Sequence, residues 1–180
     1  MSTMHRMMIV FSALVLVSAG TVACGESPEY PSPRGGKVMC DAWWATVDPK
    51  VRTSSNLPDV EQLSDSDAVN GVECLLALEG NHRRGKFSGS TRLDISQLFP
   101  DATVEIDALY MISAIYHRRW AHARGIALVD ERPLIVRPNT AAKRAFPFVR
   151  QWFERLKSEG LEKLRERMDD PLNGSGLRWY

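Results

Sequence analysis

The stretch from Ala102 to Arg119 constrains the fold more than any other part of the chain. Ala108-Leu109-Tyr110-Met111-Ile112-Ser113-Ala114-Ile115-Tyr116 is apolar nearly all round. A helix without a polar face belongs at the centre of a protein. Pro100-Asp101 gives a favourable start. Glu105 and Asp107 stand near one end, and His117, Arg118 and Arg119 near the other, so the charges complement a helix dipole. Aromatic and β-branched residues would permit a strand over part of the run, but its length and charge polarity predict a helix.

A buried central helix needs amphipathic neighbours, and the chain supplies two. From about Ser66 to Glu79, Val69, Val72, Leu75 and Leu76 recur at helical spacing. Ser64, Asp65, Ser66 and Asp67 offer N-cap oxygens, and Gly80-Asn81 offers a stop. From about Thr140 to Ser158, Ala145, Val149, Trp152 and Leu156 make an apolar stripe flanked by Phe146 and Phe153. Pro147 lies inside that pattern, so either the helix kinks there or its main body begins there. Gly160 ends it, and Leu161–Met168 is a short charged continuation before Pro171.

The other pieces are less regular. Val38–Val47, with Trp43-Trp44, reads as a helical turn or short helix. Asp48–Asp59 reads as a loop. His82–Leu98 holds at most a short strand. Ile126–Val129 and Leu134–Val136 flank a polar turn and could form one short strand pair. The expected fold class is therefore mainly α, a small helical domain over residues 37–180 with at most a short strand pair.

Composition removes several function classes. A hydrophobic content of 44% is too high for a disordered chain. A formal net charge of +1 excludes nucleic-acid binding by phosphate neutralisation. Three cysteines are too few for a disulfide-dense mini-protein.

The first segment reads as an address. Met1–Arg6 is a short polar head with Arg6 as its charge, and Met7–Val17 is apolar apart from Ser12. Small residues follow, Ser18 to Ala23, and then Cys24. That is the order of a secretory signal. Thr21-Val22-Ala23-Cys24 resembles the lipobox of bacterial lipoprotein precursors, with Thr21 where Leu, Val or Ile is more usual. The resemblance covers the first 24 residues. It implies a signal peptide over residues 1–23, cleavage before Cys24, a diacylglycerol thioether on Cys24 and acylation (palmitate-type) of the new amino group. Two other readings stay open: an ordinary signal cut after Ala23, and an uncleaved anchor, which is disfavoured by its length and flanks.

Residues 24–36 are rich in Pro and Gly and poor in aliphatics, as befits a flexible lipid-anchored tether. Asp in the position of Gly25 marks inner-membrane retention in some bacteria, and its absence leans the reading toward the outer membrane. The expected location is thus the cell envelope, lipid-anchored and facing the periplasm. In an oxidising compartment the remaining cysteines, Cys40 and Cys74, are a disulfide candidate, closing a loop worth roughly 3–4 kcal/mol. Two buried free thiols are the alternative.

No recognised catalytic or cofactor motif is present, and no catalytic residue, cofactor or metal ligand is assigned. His117 and His122 would diverge by about 140° on a straight helix, which is poor spacing for a shared metal. Glu105 and Asp107 do not face each other on one helix, although His82, Glu73, Glu105 and Asp107 gathered in one cleft would signal a hydrolase. Ser88-Gly89-Ser90-Thr91 reads as a hydroxyl-rich turn rather than a nucleophile site.

The partner-binding candidates are Trp43, Trp44, Arg83, Arg84, Trp179 and Tyr180. Tryptophan and arginine concentrate at interfaces, and Arg83-Arg84 belong to a basic run, His82–Lys86, able to meet anionic headgroups. The same residues also suit core packing and a solvated loop, and the chain end could dock back onto the core. The expected function is a non-enzymatic binding or structural module, held to the membrane by its lipid and engaging an envelope protein. A small envelope hydrolase acting on glycan or peptide is the alternative.

Overall fold

In the computed structural model, the described residues are 40–52, 56–86, 103–119, 128–130 and 138–179. The expected signal peptide, Cys24 and the tether lie outside them, as do Ser88–Thr91, Trp120, His122 and Tyr180. The protein is mainly helical. The elements in chain order are α1 (Asp41–Val47), α2 (Asp65–Leu76), α3 (Val104–His117), β1 (Leu128–Asp130), α4 (Pro138–Glu159), α5 (Leu161–Glu166) and β2 (Leu177–Trp179).

The apolar run does become the central helix. Every residue of α3 from Val104 to Tyr116 is buried, and α1, α2, α4 and α5 all touch it. Its C-terminus turns off at Arg118, whose backbone is left-handed at φ 47°. The Arg119 N–H then reaches back to Ala114 O at 3.2 Å.

α2 begins where the sequence offered caps. Ser64 Oγ accepts the Asp67 N–H at 3.1 Å, satisfying one of the four free donors of the first turn. The helix ends at Leu76 rather than Glu79. Turns carry the chain from there to Gly80, whose φ is +78°.

α4 runs through Pro147 without interruption, so the helix does not begin there. Pro147 is exposed, as is Lys143 four residues earlier. The carbonyl that loses its donor therefore sits on the solvent side, open to water. Ala145, Phe146, Val149, Trp152, Phe153 and Leu156 are buried, as their spacing predicts.

Gly160 separates α4 from α5 with φ +85°. Asp65 packs against it so closely that a Cβ there would lie 2.6 Å from Oδ2. Asp65 Oδ1 also accepts the first N–H of α5, from Leu161, at 3.1 Å.

Two staples finish the domain. Cys40 and Cys74 are joined by a disulfide, with Cα atoms 5.3 Å apart and a sequence separation of 34. It fixes the start of α1 to α2. The second staple is a short strand pair. β1 pairs antiparallel with β2 at the chain end, Leu128 opposite Trp179 and Asp130 opposite Leu177. The proposed partner, Leu134–Val136, lies outside the described residues. β2 is also held through Trp179: its Nε1 donates to Ser113 Oγ at 2.8 Å, and its ring meets Tyr110 edge-on at 5.4 Å. The sequence distance hid this pairing.

Candidate functional site

Among the described residues, one polar cluster joins three elements: the end of α1, the loop of residues 80–86 and the first turn of α3. Its floor consists of three buried carboxylates, Asp48 at 1% exposure, Glu105 at 3% and Asp107 at 0%. Ionised groups rarely lie so deep unless hydrogen-bonded or paired.

Each acid grips the loop. Glu105 Oε2 accepts the Gly80 N–H at 2.9 Å. Its Oε1 lies 3.0 Å from His82 Nδ1. The Glu105 N–H donates to Asn81 O at 3.2 Å. Asp48 Oδ2 pairs with the Arg83 guanidinium, while Oδ1 accepts the Lys50 N–H at 2.8 Å. Asp107 lies against Gly85 so tightly that a Cβ there would stand 2.1 Å from Oδ2. Only glycine fits that contact.

Backbone bonds complete the attachment. Val104 N–H donates to Arg83 O at 2.8 Å, and Lys86 N–H to Val47 O at 2.9 Å. Arg84 and Thr103 form an isolated antiparallel bridge. Lys86 Nζ donates to Ala45 O. Acids beneath and cations above thus offset one another across the loop. Arg83 is about two-thirds buried in its pair, whereas His82, Arg84 and Lys86 are exposed.

Chemically, the arrangement holds one feature of a general base. An exposed imidazole, 66% accessible, is oriented through Nδ1 by a buried carboxylate, which leaves the ring's other nitrogen to act. Of the four residues whose convergence would signal a hydrolase, the structure unites His82 and Glu105. Asp107 turns to Gly85 instead, and Glu73 sits half-buried on α2.

The tryptophans face inward to differing degrees. Trp43 is buried against Gly71, and Trp44 is half-buried with Nε1 donating to Cys74 O at 2.8 Å. Trp152 is fully buried and donates to Asp169 O at 2.8 Å. Trp179 docks on α3, which is the docking alternative for the chain end. Trp44, Trp152 and Trp179 each bury apolar ring surface and satisfy the indole N–H.

A groove of about 390 Å³ lies between α2 and the end of α4, lined in part by Asp65, Ser66, Asn70, Leu156, Lys157 and Glu159. Sequence reasoning missed it, because its two walls are some ninety positions apart and carry no motif. Its charged groups are already engaged within the chain. Asp65 caps α5, Glu159 meets Arg167 at 2.8 Å, and Lys157 meets Glu154 at 2.7 Å.

Among the described residues, no three His, Cys, Asp or Glu side chains are grouped to hold a metal. His117 instead lies 3.5 Å from Asp170 Oδ2. No described helix is long and apolar enough to cross a membrane.

No family model, curated protein or solved structure matches this chain.

Proposed function

We propose that this protein is a membrane-anchored envelope lipoprotein whose helical domain acts as a non-enzymatic binding or structural module on the periplasmic side. The observation that carries the reading is Thr21-Val22-Ala23-Cys24 at the end of a signal-like apolar run, followed at once by a Pro/Gly-rich tether. The Cys40–Cys74 disulfide supports export, because such bonds persist in oxidising compartments. The engagement of Asp48, Glu105 and Arg83 in holding the loop supports a structural rather than a reactive role for that cluster. The partner is an envelope protein, and the lipid keeps the domain within reach of it.

Intact mass of the protein extracted from host membranes tests the anchor. The expected mass is that of residues 24–180 plus acyl chains, and Cys24→Ala should abolish the added lipid. A mass without lipid, or one retaining residues 1–23, would overturn the reading.

A second reading, a small envelope hydrolase acting on glycan or peptide, has the His82–Glu105 pair in its favour. It predicts hydrolysis of cell-wall glycan or peptide that is lost in both His82→Ala and Glu105→Gln. Absence of such activity in the native chain removes it.

A further inference from the structure

Among the described residues, two other than glycine hold a left-handed backbone: Arg118 at φ 47° and Met168 at φ 55°. Glycine favours that conformation and L side chains rarely adopt it. At Arg118 the side chain explains the choice. Its Nη2 donates to Leu63 O at 3.2 Å and meets Glu162 Oε1 at 2.8 Å, tying α3 to the approach to α2 and to α5.

Met168 is different. Its backbone closes the end of α5: Met168 N–H bonds to Arg165 O at 3.0 Å, and Asp169 N–H to Leu164 O at 2.8 Å. That paired pattern is the usual helix stop whose left-handed position glycine fills best. The Met168 side chain is 80% exposed. The base beneath it is firm, since Asp169 takes two bonds from Arg155, at 2.7 and 2.9 Å, and its carbonyl accepts Trp152 Nε1. A thioether is thus held out in water on a fixed support. Met111, by contrast, is fully buried at the centre of α3.

We propose that Met168 is a sacrificial oxidation site that consumes peroxides while leaving the fold intact. The sulfur lone pair attacks one oxygen of hydrogen peroxide. An S–O bond forms as the O–O bond breaks, and the proton on the transferred oxygen passes to the departing hydroxide, which leaves as water. The thioether is oxidised to the sulfoxide and the peroxide is reduced. Susceptibility follows exposure. The added polarity falls largely in solvent, outside the core. At Met111 the same oxygen would enter the core.

The test is graded hydrogen peroxide on the purified full chain, with peptide mapping of each methionine and Met39 followed separately. Met168 should gain one oxygen at least about tenfold faster than Met111, with the thermal midpoint unchanged, and methionine sulfoxide reductase should restore it. Equal rates at the two sites, or a midpoint that falls as Met168 oxidises, would overturn the proposal. Under limiting peroxide, Met168→Leu should hasten oxidation of the remaining methionines. Unchanged rates there would sink the sacrificial role.

Discussion

Gly71 of α2 faces the indole of Trp43 so closely that a Cβ built on it would lie 2.5 Å from Cζ2 and 2.6 Å from Cε2. α1 seats on α2 through this contact, next to the disulfide. Overpacking a filled site forces backbone or rotamer shifts. Gly71→Ala is therefore expected to destabilise the domain by about 1–3 kcal/mol, despite alanine's better helix propensity. A urea midpoint unchanged or raised by the substitution would contradict the contact.

Asp48 and Arg83 form a lopsided ion pair, with side-chain exposures of 1% and 31%. Removing a partner from a fully buried pair costs about 3–5 kcal/mol. Because solvent reaches Arg83, a loss of about 1–3 kcal/mol is expected for Arg83→Ala. Asp48→Asn should lose less, because an amide oxygen can still accept the Lys50 N–H. Denaturant titration of both variants checks the order.

The disulfide ties the start of α1 to α2, and both cysteines are buried. Cys40→Ser with Cys74→Ser is expected to lose roughly 3–4 kcal/mol on the chain-entropy model. In the native chain, thiol reagents should label neither cysteine until denaturant and reductant are present together. Labelling of either in the folded, unreduced protein would show that the bond is not formed.

Burial raises the pKa of both Tyr110 and Tyr116 above the usual 10.0. At Tyr116 the nearby Asp170 and Asp169 carboxylates raise it further, against a smaller opposing effect of Arg165. The folded state therefore disfavours tyrosinate. The resulting stability is fully present below the unfolded pKa, and it is lost as pH rises from about 10 through the raised folded values. Near-ultraviolet titration should show two tyrosines ionising late. Tyr110→Phe and Tyr116→Phe should each remove one late step, and a single unshifted transition for all four would refute it.

Local chemistry made much of the fold legible. The apolar run of α3, the stripe of α4 and the cap at Ser64 all act within a few turns, so their pattern survives in one dimension. Boundaries moved where local signals compete. Gly80 marked a stop, but the chain left the helix at Leu76 and reached Gly80 through turns. Pro147 looked disruptive because sequence does not show which side of a helix meets water.

The candidate site was only half legible. His82–Lys86 was visible as a basic run and Glu105 and Asp107 as first-turn acids, but nothing in their spacing of about twenty residues showed that one would sit on the other. Asp48 drew no attention, because a lone aspartate in a loop has no signature until Arg83 arrives beside it.

The sequence by itself thus determined the helical class, the central helix and the candidate cysteine pair, because each rests on neighbouring residues or simple counting. Only the tertiary structure decided that β1 takes the chain end as its partner, that buried acids hold the basic loop, and that Asp65 caps a helix 96 residues away. Those choices depend on which distant groups can exclude water together, and a linear pattern carries no record of that distance.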